Sequence, residues 1–261
     1  MNDSITVQDF REYRKELGFT NQGDVKNFFA AKDIIPTVDF NYIDLLNTRL
    51  TEIIKKINSL VSKDISINTI DKFCIDNIET VFQKLKNNSI IEKLNNQGRR
   101  PEQVYFSWMR GYIISNYFLK ALREIFEVDF DSIKLIGDDD LTNIESFKRT
   151  PTADLEILLK DGSKLRIEVQ SGFQGINDIK QHKVLEAKKI AQTNKISSFA
   201  VHFDLFNGQV AFVQLDAIED GSINWITRQQ MEGQTVFNID QNYFIWKLTE
   251  NPPKFNDIFA K

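Results

Sequence analysis

Residues 151–170 read PTADLEILLKDGSKLRIEVQ, and their period-two alternation constrains the fold more than any other stretch of the chain. Ala153, Leu155 and Ile157 alternate with Asp154 and Glu156. Beyond Asp161-Gly162, Leu165, Ile167 and Val169 alternate with Arg166, Glu168 and Gln170. Apolar residues at every second position on both sides of an Asp-Gly pair are the pattern of a β-hairpin. Successive side chains of a strand point to opposite faces, so Glu168 and Gln170 share one face, and so do Asp154 and Glu156.

Register decides whether those two sets meet. A two-residue Asp161-Gly162 loop pairs Lys160 with Ser163 and sets Asp154 opposite Val169, with the acids on different faces. A three-residue Lys160-Asp161-Gly162 loop, with Gly162 left-handed, pairs Leu159 with Ser163. Asp154 then lies opposite Glu168, and Glu156 opposite Arg166. A slip of one residue turns over every side chain, so a shared acidic site requires the odd-length loop or a bulge. Two facing carboxylates are hard oxygen ligands suited to Mg²⁺, and each raises the other's pKa unless a cation relieves them. Gln170 can orient a water or offer its carbonyl oxygen, but it cannot supply a positive charge.

A length of 261 residues allows one large domain or a core with an accessory part. The 41% hydrophobic and 27% charged content is that of an ordinary soluble globular protein. A net charge of −4 speaks against a nonspecific nucleic-acid coat protein while leaving room for a local basic cleft. Cys74 is the only cysteine, which excludes an intramolecular disulfide and a cysteine zinc cluster. His182 and His202 are too few for a histidine-based metal site. His182 reads as solvated among lysines, and His202, in an apolar strand, as a hydrogen-bonded core residue. No signal pattern and no run of transmembrane length is present, so the expected location is cytoplasmic, with no membrane partner.

Residues 7–14 and 21–29 have the character of short helices, with Thr20 or Asn21 as cap for the second. Gly18-Phe19-Thr20 between them is compatible with a helix-turn-helix and with plain helical packing. Ile43, Leu46, Leu50, Ile54 and Ile57 follow helical spacing across 42–62, as do Ile75, Ile78, Val81, Phe82 and Leu85 from Asp71 onward. These two predict a helical hairpin, used as a cover or a subunit contact. The polar run 95–101, punctuated by Gly98 and Pro101, predicts the internal boundary. It divides an N-terminal helical region, 1–97, from a core at 98–261. Pro101 opens a long helix to 126 with Val104, Trp108, Tyr112, Phe118 and Leu122 on one stripe. A first strand follows at 131–136, then Asp138-Asp139-Asp140 as a solvated turn or a cation site. After the hairpin, Ser171-Gly172-Phe173-Gln174-Gly175 makes a sharp turn. A helix at 176–193 and strands at 199–203 and 210–215 about Asn207-Gly208 complete the pattern.

The spacing Pro-x-x-Asp at 151–154 and Glu-x-Gln at 168–170, within that order of elements, resembles the PD-(D/E)xK nucleases, and among them the type II restriction endonucleases. The resemblance covers residues 101–216. Two departures stand out. The third residue is Gln170 where the family usually has Lys, and Asp154 comes three residues after Pro151, not directly after it.

The resemblance implies an α/β (α+β) fold, a mixed central sheet with an αβββαβ restriction-endonuclease-like core behind the N-terminal helical region. It implies a type II site-specific deoxyribonuclease that hydrolyses phosphodiester bonds of double-stranded DNA at a short recognition sequence with Mg²⁺. Asp154 and Glu168 would bind the metal, and Gln170 would position the water or complete the metal shell. Arg99, Arg100, Lys180 and Lys183 are the candidate phosphate contacts. The amides and Arg of the C-terminal segment (Arg228, Gln229, Gln230, Asn238, Gln241, Asn242, beside Trp225 and Tyr243) are side-chain types that read base edges. Residues 1–97 would dimerise the protein or clamp DNA. Cutting both strands of a palindrome implies a homodimer, and a restriction system implies a cognate DNA methyltransferase. The alternatives are a repair or mobile-element nuclease of the same superfamily, and a catalytically decayed DNA-binding protein.

Overall fold

The computed structural model describes residues 6–31, 34–94, 99–136, 153–173, 175–229 and 233–259. Its first element, α1 (Val7–Leu17), starts at a capping box. Thr6 Oγ1 accepts from Asp9 N, and the Asp9 carboxylate accepts from Thr6 N at 2.6 Å. It ends at Gly18, whose φ of 81° is left-handed. Asn21 caps α2 (Gln22–Phe29) by accepting from Asp24 N at 3.0 Å. Neither helix buries a residue.

The expected helices at 42–62 and from Asp71 form. They are α3 (Phe40–Leu60) and a run of α4 (Ile70–Cys74), a π-helical turn (Ile75–Glu79) and α5 (Thr80–Asn87). The long helix expected at 101–126 is two, α6 (Pro101–Tyr117) and α7 (Leu119–Phe126), separated at Phe118. There the backbone leaves the helical region (φ −87°, ψ 4°), and the Phe118 ring stacks on Phe203 with centroids 3.9 Å apart. Buried Glu102 joins α3 to α6. Its carboxylate accepts from Asp39 N at 2.8 Å and from the Arg100 guanidinium at 2.8 and 3.2 Å. No helix among the described residues is long and apolar enough to cross a membrane.

The strands are β1 (Ile133–Leu135), β2 (Leu155–Leu158), β3 (Lys164–Gly172) and β4 (Asp178–Lys180). Helix α8 (Gln181–Asn194) follows, then β5 (Ser197–Asp204), β6 (Gln209–Gln214), β7 (Trp225–Arg228), β8 (Gln234–Asn238), β9 (Phe244–Lys247) and a last helix, α9 (Phe255–Phe259). Six strands form one mixed sheet in the order β1-β2-β3-β5-β6-β9. β3 and β5 are parallel, joined across α8, and the other neighbours are antiparallel. The chain is therefore a mixed α/β fold. A second, antiparallel sheet, β4-β8-β7, was not anticipated. It takes residues 178–180 away from the helix expected to start at 176. Ile179 pairs with Phe237 and is fully buried, and helical and extended spacing are indistinguishable over so short an apolar run.

The turn of the β2–β3 hairpin takes the three-residue form. Leu159 N donates to Ser163 O at 2.9 Å, Gly162 N donates to Leu159 O at 3.0 Å, and Gly162 has φ 83°. Leu155 then pairs with Ile167, and Glu156 with Arg166. Leu155, Ile157, Leu165 and Ile167 enter the larger core with Ile43, Phe82, Tyr105, Phe118, Phe203 and Trp246. That core draws on residues from both sides of the boundary expected at 97/98. A smaller core joins α8 to the other face of the sheet through Val184, Ala187, Ala200, Ala211 and Val213.

Phe203→Ala removes a fully buried ring and its stacking partner's contact. It should cost about 3–5 kcal/mol of stability in urea melts. Gly162→Ala forces a Cβ into the left-handed region and should cost about 1–2 kcal/mol by the same measurement.

Candidate functional site

Strand alternation turns Leu165 and Ile167 into the larger core and so presents Arg166, Glu168 and Gln170 to the face under α8. The parallel register sets Glu168 beside Ala200 and Gln170 beside His202. Asp154 stands one residue before β2, at the position that the register, carried one step past the Leu155–Ile167 pair, would set opposite Glu168, and its charge acts on Lys183. Its backbone carbonyl accepts from Ile136 N at 3.0 Å, and its Oδ2 accepts from Val169 N at 2.7 Å. The three-residue turn is what gives the hairpin that register.

Lys183, on the first turn of α8, reaches down to them. Its Nζ donates to Glu168 Oε2 at 2.9 Å, and both side chains are mostly buried. Burial pushes the Glu168 carboxyl up, and nearby Glu186 adds to the rise. Lys183 and a hydrogen bond from Gln170 oppose it, but the pKa stays raised. For Lys183, burial acts downward, yet the carboxylates of Glu168, Asp154 and Glu186 outweigh it and raise the pKa. The ammonium is thus charged and occupies the place of a cation among the acids.

Two spaces adjoin this pair. A cavity of about 20 Å³, close to the size of one water, lies between Arg166, Glu168, Lys183, Glu186 and Ser198. Arg166 Nε, which is buried, has no hydrogen-bond partner. A wider cleft of about 420 Å³ opens over Glu168, Gln170, Asp178, Lys180, His182 and Lys183. Its Asp178 wall is fixed by Arg228, at 2.7 and 3.1 Å, and by Asn238 at 3.0 Å. Arg228 and Asn238, two of the expected base-reading residues, are thereby committed to holding the cleft.

Behind Gln170 the packing is close. His202 is buried with Nε2 2.8 Å from Asn177 Oδ1, and its Nδ1 has no partner. Burial pushes its pKa down to about 4. A Cβ at Gly172 would meet Asn177 Oδ1 and His202 Nε2 at 3.0 Å each, so any larger residue there presses on that pair.

Of the four candidate phosphate contacts, Lys180 and Lys183 line the cleft. Arg99 and Arg100 stand at the start of α6 and do not line it. Arg100 is bound to Glu102, and Arg99 donates to Gln103 O at 3.4 Å. Asp178 and Glu186 belong to the site and were not singled out from sequence. Glu186 stands three residues after Lys183, one helical turn on, and that spacing was the available signal. Pro151, the Asp138–Asp140 run, Gln174 and Gln230 lie outside the described residues. Among the described residues no three His, Cys, Asp or Glu side chains group to hold a metal.

The low pKa of His202 makes stability depend on pH. The unfolded histidine, near 6.5, takes up a proton that the folded one refuses until about 4. Stability from this residue should therefore be full above pH 6.5 and fall by about 3 kcal/mol as pH drops to 4. Urea melts across that range should show the slope, and His202→Gln should flatten it. No family model matches the chain, and no curated protein matches it.

Proposed function

We propose that this protein is a Mg²⁺-dependent deoxyribonuclease with an αβββαβ core of the PD-(D/E)xK kind, working as a type II restriction endonuclease on double-stranded DNA. One observation carries the reading. The three-residue turn is the one the reading requires: its register, carried one residue past β2, would set Asp154 opposite Glu168 on the sheet face below α8, and Asp154 and Glu168 both act on Lys183. The donor chemistry suits magnesium, which takes one or two carboxylates and keeps several waters. Asp154, Glu168 and the amide oxygen of Gln170 would hold it once Lys183 releases Glu168. Magnesium supplies polarisation of the phosphodiester and a more acidic water. Gln170 orients the attacking water. Lys183 places its ammonium against the charge that builds on the phosphate oxygens. Lys180, exposed on the cleft, neutralises a flanking phosphate. Water adds to phosphorus as the bond to the 3′ oxygen breaks, leaving a 5′-phosphate and a 3′-hydroxyl. Cleavage of both strands at a palindrome calls for two copies, and host protection calls for a methyltransferase of the same specificity.

The Glu168–Lys183 ion pair favours a second reading, a DNA-binding protein on a decayed nuclease scaffold, because the acid already has its counter-ion. Calorimetry separates the two. DNA affinity that needs Mg²⁺ and is lost in Glu168→Ala supports the nuclease, whereas affinity indifferent to both supports the binding protein.

Incubated with a mapped plasmid and Mg²⁺, the protein should produce discrete fragments, and chelation should stop it. Asp154→Ala and Glu168→Gln should each slow cleavage by at least about 10²-fold, the scale on which one charge-stabilising group counts. No cutting by the wild type, or unchanged cutting by Asp154→Ala, rejects the proposal. Cutting at branched or gapped DNA without sequence preference moves it to a repair or mobile-element nuclease.

A further inference from the structure

A second concavity lies at the same end of the sheet but on its opposite face, toward α3 and α6. It has a volume of about 450 Å³. Its floor is aliphatic, with Leu50, Ile54 and Ile114 buried. Phe173, just past β3, and Phe206, in the β5–β6 turn, line it while 41% and 77% exposed. The turn is braced by buried Asp204, which accepts from Phe206 N at 3.1 Å and from Asn207 N at 3.2 Å. The groove's size and apolar lining are those of small-molecule sites.

Two arginines line the same groove. Arg110, half-buried, sets its guanidinium 4.7 Å from the Phe173 ring centroid and 5.9 Å from that of Phe106. Arg49 is exposed on α3. Neither forms an ion pair or a side-chain hydrogen bond among the described residues. Burial, and then the charge of Arg99, lower the Arg110 pKa, which marks a cation short of a counter-charge. Guanidinium groups bind carboxylates and phosphates through paired N–H donors, and among the described residues those of Arg110 meet no side-chain acceptor.

We propose that this groove binds an amphipathic organic anion, a hydrocarbon body on Leu50, Ile54 and Ile114 with an acidic head held by Arg110 and Arg49. The aliphatic floor offers no donor or acceptor to a nucleic-acid base edge. A symmetric contact with a second copy would bury the arginines without an opposing charge. Two cations on an apolar groove select an anion, and the floor selects hydrocarbon. The site is separated from Asp154 and Glu168 by the thickness of the sheet, so its test is independent of DNA cleavage.

The test uses 8-anilinonaphthalene-1-sulfonate, an aryl body with a sulfonate head, displaced from the full chain by decanoate, decanol or decyltrimethylammonium. Decanoate should displace it at a concentration at least about tenfold below decanol, and decyltrimethylammonium should be weakest. Arg49→Gln and Arg110→Gln should each erase most of the decanoate advantage and leave decanol unchanged. Arg49 is exposed, so its variant keeps the fold in place whatever Arg110→Gln does. Equal potency of decanol and decanoate overturns the proposal, as does a decanoate advantage that survives both substitutions. So does failure of the dye to bind, whether because another segment or a second copy covers the groove, and so does displacement by single-stranded oligonucleotide but not by decanoate.

Discussion

One residue in a turn governs the chemistry available to this chain. With Lys160, Asp161 and Gly162 all in the loop, Leu155 pairs with Ile167 and the register runs toward Asp154 opposite Glu168; with one fewer, the two acids would fall on opposite sides of the sheet. The left-handed Gly162 makes the longer loop cheap, and Ser163 secures it by donating to the Asp161 carboxylate from both its backbone N and its hydroxyl. The hydrophobic cores then lock the choice. Leu155, Ile157, Leu165 and Ile167 are all buried in the larger core, and a shifted register would turn Leu155 and Ile157 out and put Asp154 and Glu156 in their place. Packing and site geometry depend on the same count.

The ion pair of Glu168 and Lys183 is the second constraint. Two mostly buried charges contribute little net stability, because desolvation offsets most of their attraction. Their value is positional. Lys183 ties the first turn of α8 to the centre of β3, and three carboxylates keep it charged. The space beside it holds Arg166, whose buried Nε is unpaired. A buried donor left over in this way is the kind of group that a bound water or ligand satisfies.

The sequence was most informative where periodicity was long. The α3 helix carries Ile43, Leu46, Leu50, Ile54 and Ile57 at helical spacing, and the β2–β3 hairpin shows strict alternation on both sides of its turn, so both were legible. Elements of three to five residues were not. β4 has one apolar side chain between two polar ones, and local pattern cannot separate that from the first turn of the helix that follows it. The C-terminal strands were read as a polar recognition segment because Arg228 and Asn238 look free in one dimension. In space Asp178 engages both, across a sequence separation that no window spans. The face that Glu168 takes is legible from its strand position, whereas its pairing with Lys183 is not, since only the fold of β3 against α8 brings them together.

The small sheet carries a consequence for what holds the cleft open. β4 is hydrogen-bonded into that sheet, yet α8 begins at the very next residue, and Lys183 is its third. With Asp178 pinned by Arg228 and Asn238, the C-terminal β7–β8 hairpin anchors the strand from which the lysine-bearing helix departs, so the two ends of the cleft share one foundation.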